Sequence, residues 1–211
     1  MSLGALKHYA RKHLRWYGQS AFLITADSGE TIAVDPFRMP ASAGPVDMIL
    51  ITHPHLDHFD RRAVAGLRTR ATTVAVPQSS VRSDFEGMRP GQTIKIGALA
   101  VSAVPAYTPS KPFHPRARGW VGYIIELDGL RIYHAGDSDL IPEMKGLAPD
   151  IALLPIGGLF SMNVRSAVEA AASLRAALAI PMHFNWLLGG GDAGARFLEA
   201  MGEKGLILPL S

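Results

Sequence analysis

The sequence predicts an α/β protein in which two β-sheets are flanked by helices on the outside. Three observations carry this expectation. Short β-branched or aromatic runs bounded by turn residues recur along the first two-thirds of the chain, some of them joined as hairpins. Beyond residue 150 the pattern changes to strand, helix, strand, helix, the signature of βα units. The residues with ligand chemistry fall just after strands, where an α/β fold gathers a site from distant sequence.

Taken in order, the N-terminal segment carries Lys7, Arg11, Lys12 and Arg15 and reads as a basic surface, with His8 and His13 facing solvent. Strands are expected at Ala21–Thr25 and Thr31–Asp35, joined through Asp27-Ser28-Gly29, where Gly tolerates the positive φ of a hairpin turn. Met48–Thr52 is an apolar run of the kind that forms a buried strand, and Arg61–Leu67 is the first helix after it. Further strands are expected at Thr73–Val76, Leu99–Val104, Val121–Leu127 and Arg131–His134, the last two joined by Asp128-Gly129.

Asp150–Leu154 reads as the next strand. Val164–Leu178 reads as a helix capped by Asn163, with Val168, Ala171, Ala172 and Leu174 on its apolar side. Ala179–Met182 is a short strand, and Ala193–Met201 a final helix with Asp192 as its N-cap. Gly157-Gly158 and Gly189-Gly190-Gly191 read as lips of a pocket or as plain turns; neither resembles a phosphate-binding loop. No linker or low-complexity segment interrupts the chain, so residues 1–211 are expected to form one domain.

Composition narrows the function. Of the 211 residues 48% are apolar and 18% charged, as in a globular protein with a substantial core. The absence of cysteine removes disulfides, thiolate zinc sites and a cysteine nucleophile together. No apolar leader follows the N-terminal basic residues and no run has the length of a membrane span, so a soluble, cytoplasmic protein is expected, with no membrane partner. The net charge of +3 is scattered, which mildly favours an anionic small-molecule substrate and makes nucleic acid an unlikely partner. A homo-oligomer is left open.

The most informative stretch is His53-Pro54-His55-Leu56-Asp57-His58, directly after the apolar run. Residues two apart in an extended segment point to the same side, so His53 and His55 can grip one ion, and after the turn Asp57 and His58 can address a second. Imidazole and carboxylate suit zinc, manganese or iron. Paired ions of this kind activate water and clamp an oxyanion. Clustered surface histidines without function are the bland alternative, and three imidazoles plus a carboxylate in six residues argue against it.

Together with Ala135-Gly136-Asp137-Ser138 after a strand and Ile180-Pro181-Met182-His183-Phe184 near the C-terminus, this motif resembles the metallo-β-lactamase superfamily. Within it the chain is most similar to the small metal-dependent hydrolases related to the ascorbate-phosphate lactonase, through Trp16-Tyr17-Gly18-Gln19-Ser20-Ala21-Phe22, Ala33-Val34-Asp35-Pro36-Phe37, Ile132-Tyr133-His134-Ala135-Gly136-Asp137 and Ile141-Pro142-Glu143-Met144. The resemblance implies an αββα sandwich of two mixed β-sheets flanked by helices, with two divalent metal ions, zinc first among the candidates. His53 and His55 would bind metal 1, Asp57, His58 and His183 metal 2, and Asp137 would bridge them. A hydroxide between the ions would attack a small ester-like substrate, a lactone or phosphodiester, with Asp57 as the catalytic residue orienting or deprotonating it.

Two departures from the family stand out. Relatives carry a metal 1 histidine where this chain has Val104-Pro105-Ala106-Tyr107-Thr108. His114 is the nearest replacement; otherwise it contacts substrate, or metal 1 is weakly held. Relatives also often carry His where Gln19 stands, and Gln can only hydrogen bond there. Asp35 is expected to hold a ligating imidazole by its free N–H, or else to be a turn residue, and His134 to be a core or supporting histidine before a metal ligand. Lys111, with Arg116 and Arg118, sits on a Pro-rich loop suited to an anionic group or simply solvated. Trp120, Phe160 and Trp186 read as core before cleft.

Rival functions are a nuclease using the same site, a non-catalytic metal-binding protein with a damaged metal 1 site, and, more remotely, a flavodiiron-type redox enzyme. The last would need a carboxylate where Pro54 stands.

Overall fold

Alternating burial along short strands builds two sheets that share one core. A computed structural model describes residues 1–82, 84–184 and 191–211. Trp186, Gly189 and Gly190 lie outside the described residues.

The first sheet contains β1 (Leu14–Trp16), β2 (Phe22–Thr25), β3 (Thr31–Val34), β4 (Met48–Leu50), β5 (Thr73–Pro77) and β6 (Glu86–Met88), in that spatial order. The second contains β7 (Thr93–Ile96), β8 (Leu99–Pro105), β9 (Val121–Leu127), β10 (Leu130–His134), β11 (Ile151–Pro155) and β12 (Leu178–Met182), again in sequence order. Each sheet starts as an antiparallel meander and ends parallel: β1 to β3 and β7 to β10 pair antiparallel, and β3 to β6 and β10 to β12 pair parallel. The sheets are therefore mixed, as expected.

The pleat explains the layers. Phe22, Ile24, Ile32, Val34, Met48 and Leu50 face the second sheet and join the main core. Their neighbours Leu23, Ala33, Ile49 and Ile51 face outward and pack beneath α2 (Arg61–Leu67), through its Ala63, Val64 and Leu67. On the far side α3 (Val164–Leu174) and α4 (Ala193–Met201) cover the second sheet. The result is the αββα sandwich. Among the described residues no helix is long and apolar enough to cross a membrane.

The structure corrects four local expectations. A helix, α1 (Leu3–His13), occupies the basic N-terminus, capped by the Ser2 side chain. Its Leu6, Tyr9, Ala10 and His13 form one stripe of helical period that enters the core, so His13 is buried rather than solvent-facing. The His13 ring stacks on Tyr9 at 4.2 Å and its Nδ1 meets the Thr25 carbonyl at 2.7 Å.

The third helix stops at Leu174, because Arg175 turns left-handed at φ 59° and leaves Leu178 to begin β12. Its buried face is Ala167, Ala170, Ala171 and Leu174, while Ala172 is exposed. Asp192 precedes α4 without a side-chain cap and instead pairs with Arg196 at 3.1 Å.

Candidate metal centre

The parallel ends of both sheets deliver the ligands. Asp35 follows β3, the His53-to-His58 loop follows β4, Asp137 follows β10 and His183 follows β12. His114 arrives from the long loop between β8 and β9. Tyr123 locks the sheets together below this point, its hydroxyl donating to the Ile51 carbonyl at 2.7 Å. Glycines permit two close approaches: a Cβ on Gly136 would sit 3.0 Å from Thr52 Cβ, and one on Gly157 would sit 2.5 Å from the His183 carbonyl oxygen.

Among the described residues three groups of potential ligands form: His53, His55 and His114; His53, His58 and Asp137; Asp57, His58 and His183. In the first, His53 Nε2 lies 3.0 Å from His55 Nδ1 and 3.3 Å from His114 Nε2. Asp137 spans the groups, with Oδ2 3.5 Å from His114 Nε2 and 3.2 Å from His183 Nε2. His183 Nε2 is 3.5 Å from Asp57 Oδ2, and His58 Nε2 is 3.5 Å from Asp137 Oδ1. All of the expected ligands thus converge, His114 among them, although 61 residues separate it from His53.

Hydrogen bonds on the far side of each ring decide which nitrogen faces inward. Asp35, fully buried, accepts from the Thr52 backbone N–H at 2.7 Å, from the Thr52 hydroxyl at 2.6 Å and from His58 Nδ1 at 2.7 Å. Having given its proton to Asp35, the Thr52 hydroxyl can only accept from His53 Nδ1 at 3.0 Å. His114 Nδ1 donates to the Phe160 carbonyl at 3.1 Å. By this donor count His53, His58 and His114 all turn Nε2 inward, the arrangement that orients metal-bound imidazoles. Asp35 therefore supports both halves of the site.

Thr52 was invisible as a site residue, though a hydroxyl wedged between a strand and the first histidine was the available signal. Gln19 also belongs here. It holds φ 46°, donates from Nε2 to Asp57 Oδ2 at 3.1 Å, and accepts the His183 N–H on its carbonyl at 2.9 Å.

The remaining expected residues spread out. Nε2 of His134 donates to the Ser20 carbonyl at 2.9 Å and its Nδ1 accepts from Gly136 N–H, so it is a satisfied core histidine. Lys111 is bound to Asp139 and to the Ser161 carbonyl, and Arg116 to Glu143 at 2.8 Å. Trp120, read as core before cleft, is buried with its ring 5.0–5.5 Å from those of His53, His55 and His114. It walls off one side of the cluster. Exposed apolar side chains adjoin the ligands: Leu56 at 84% exposure between His55 and Asp57, and Phe113 beside His114, packed edge-on against Phe160 at 4.7 Å.

A cation fits this donor set. By the same donor count His53 Nε2 and His114 Nε2 both present lone pairs and face each other at 3.3 Å, with His55 Nδ1 3.0 Å from the first, and a cation among them relieves that repulsion. His58 Nε2, His183 Nε2 and Asp137 Oδ1 are buried without a hydrogen-bond partner among the described residues. The ionisation preferences agree. Burial pulls His53 well below its usual pKa and His114 down to about 4, so both are neutral ligands.

Burial also opposes charge on His58 and His183, but Asp137, aided by Asp35 at His58 and Asp57 at His183, outweighs it. The two histidines are pushed up, His183 to about 9. Burial would raise Asp137 and Asp57, yet the facing His183 and His58 pull Asp137 well down and hold Asp57 at about 2. Protons on His58 and His183 occupy the place where a cation would bring the same charge.

Comparison with known proteins identifies the family. The model for the β-lactamase superfamily domain matches residues 13–183. A UPF0173 metal-dependent hydrolase of Pyrococcus furiosus is 36% identical over 92% of this chain and 93% of its own. The chain belongs to the UPF0173 metal-dependent hydrolases of the metallo-β-lactamase superfamily. A UPF0173 relative from Methanoregula boonei is 33% identical over 82% of each chain.

Among solved structures, a protein of Parabacteroides distasonis named as a metal-dependent hydrolase is 30% identical, with TM-score 0.84 over 94% of this chain and 93% of that one. A metallo hydrolase of Ignicoccus hospitalis is 29% identical, with TM-score 0.76 over 94% of this chain and 95% of that one. This UPF0173 hydrolase thus shares its αββα frame with both.

Proposed function

We propose that this protein hydrolyses a small ester-like substrate, a lactone or a phosphodiester, at a dinuclear metal centre. The observation that carries the proposal is the pair of triads flanking Asp137: three imidazoles on one side, and two imidazoles with a carboxylate on the other. His53, His55 and His114 would hold the first ion, Asp57, His58 and His183 the second, and Asp137 both. The all-nitrogen and oxygen donor set favours zinc and accepts manganese or iron. Such ions supply an activated water at neutral pH and a Lewis acid for the developing oxyanion.

The chain's own residues supply orientation. Asp35 and Thr52 fix the His58 and His53 rings, and Gln19 aims the Asp57 carboxylate. Asp57 is the most exposed carboxylate of the cluster, and at a pKa of about 2 it stays ionised. It is the catalytic residue of this reading: it accepts a hydrogen bond from the attacking water and aims its lone pair, and is too weak a base to keep the proton. Trp120 excludes solvent behind the imidazoles, while Leu56 and Phe113 give an apolar lip to the opening.

The test is metal content per chain by inductively coupled plasma mass spectrometry, on protein purified without chelator or affinity-tag metal, followed by a screen of lactones and phosphodiesters. Close to two equivalents and hydrolysis lost in Asp57→Ala and His58→Ala are expected. One equivalent or less would overturn the dinuclear reading, and full activity in either variant would overturn the mechanism.

A further inference from the structure

A lysine holds the loop that delivers His114. Among the described residues the chain between β8 and β9 carries one short 3-10 turn, Arg116–Arg118. Connections of that length with so little regular structure usually serve a function. This one first closes on itself. The Thr108 N–H donates to the His114 carbonyl at 2.9 Å and the Thr108 hydroxyl to the Lys111 carbonyl at 3.1 Å, which ties residues 108–114 into a ring.

Two side chains of the ring then grip one neighbouring segment at consecutive carbonyls. His114 Nδ1 donates to Phe160 at 3.1 Å and Lys111 Nζ to Ser161 at 2.6 Å. The Lys111 ammonium also pairs with Asp139, two residues after Asp137. Lys111 thereby joins three pieces of the centre: its own loop, the loop of the bridging carboxylate, and the segment on which the His114 ring rests.

The grip has something to oppose. His53 Nε2 and His114 Nε2 face each other at 3.3 Å with their lone pairs, which drives His114 outward until a cation sits between them. The ion pair is mostly withdrawn from water, with the Lys111 side chain 24% and that of Asp139 15% exposed. A pair in such a place is screened less than one on the surface, and removing one partner leaves the other charge poorly solvated. Asp139 already balances the ammonium, so Lys111 serves the loop rather than an anionic substrate.

We propose that Lys111 is the positioning residue for His114: its ion pair with Asp139 latches residues 108–114 onto the centre and sets the affinity of the first ion. The part concerning the ion rests on the dinuclear reading and deepens it; the part concerning His114 does not.

Two measurements on Lys111→Met and Lys111→Arg separate these parts. In the metal-free protein, nitrogen NMR of labelled histidines near pH 7.5 reads the tautomer of each neutral ring. Wild-type His114 is expected to be fixed as the Nδ1–H form by Phe160, and Lys111→Met to mix both forms. His134, bonded to Ser20 elsewhere in the fold, should stay unchanged as the control. Zinc competition against a chromophoric chelator then reads the two ions. Lys111→Met should hold one ion at least about tenfold more weakly, the scale of a lost supporting contact, and the other as in wild type. Lys111→Arg, which keeps the charge, should resemble wild type in both measurements. Lys111→Gln takes the place of the Met variant if that one fails to fold.

A His114 tautomer still fixed in Lys111→Met would overturn the proposal, as would equal weakening of both ions, which marks a general structural role. An Arg variant as defective as the Met variant would overturn the ion pair as the latch. Wild-type protein that takes one zinc or none refutes the dinuclear reading, and the tautomer measurement still decides whether Lys111 positions His114.

Discussion

Replacing Asp35 by Asn isolates the residue that ties both halves of the centre together. The carboxylate takes three protons, at 2.7, 2.6 and 2.7 Å, and has no solvent contact. Oδ1 accepts from the Thr52 N–H and Oδ2 from both the Thr52 hydroxyl and His58 Nδ1, so Asn, isosteric but with one acceptor oxygen, must turn its NH₂ either to the Thr52 N–H or to the Thr52 hydroxyl and His58. Whichever it faces becomes a buried donor without an acceptor, which costs about 1–3 kcal/mol. In a chain of this size that lowers the melting temperature by roughly 2–4 °C per kcal/mol. The larger effect falls on metal binding when the NH₂ takes the place of Oδ2, because the His58 ring then loses its orienting partner and the Thr52–His53 relay its terminus. A supporting hydrogen bond of this kind is worth about 10–100-fold in metal affinity. Competition against a chromophoric chelator, with melting of the metal-free protein measured in parallel, reads both terms. Metal affinity within twofold of wild type, alongside a lowered melting temperature, would refute the reasoning and leave Asp35 as a packing residue.

Thr52→Val keeps the shape of the side chain but leaves His53 Nδ1 without its acceptor; one ion should be held about tenfold more weakly while Thr52→Ser restores it, as read by the same chelator competition. Gly157→Ala drives a Cβ to 2.5 Å from the His183 carbonyl oxygen, and the forced shift should destabilise by about 1–3 kcal/mol in denaturant melts and loosen the second ion. The pH dependence should reverse on metal loading. Without metal, His183 is raised from 6.5 to about 9, so its contribution to stability is full below 6.5 and lost as pH rises through 9. Asp57, its partner, is lowered from 3.8 to about 2 and contributes above 3.8, losing that contribution as pH falls through 2. Metal-free protein should thus melt highest between those limits. Metal must displace the proton from His183, so its affinity should climb with pH up to about 9; calorimetry in buffers of different ionisation enthalpy should detect proton release on binding, and none would refute the assignment.

Local patterns in the sequence determined much of this protein. Alternation and turn residues delivered β9 at Val121–Leu127, and helical periodicity delivered α2 and α4 with their observed limits, because both signals depend only on near neighbours. The ligand loop was legible for the same reason, its four ligand side chains lying within six residues. Elements with weak local signals escaped: α1, whose apolar stripe is diluted by basic residues, and the edge strands β1, β6 and β7, all short and partly exposed. Tertiary structure alone decided the rest. His114 meets His53 only because the second sheet carries its loop over the first, and Asp35 reaches Thr52 and His58 only because β3 and β4 pair in parallel. Gln19 joins Asp57 to His183, residues 126 positions apart by their numbers, through two hydrogen bonds. Hydrogen bonds of this reach depend on how two sheets are stacked and in which register, and no window of neighbouring residues encodes that.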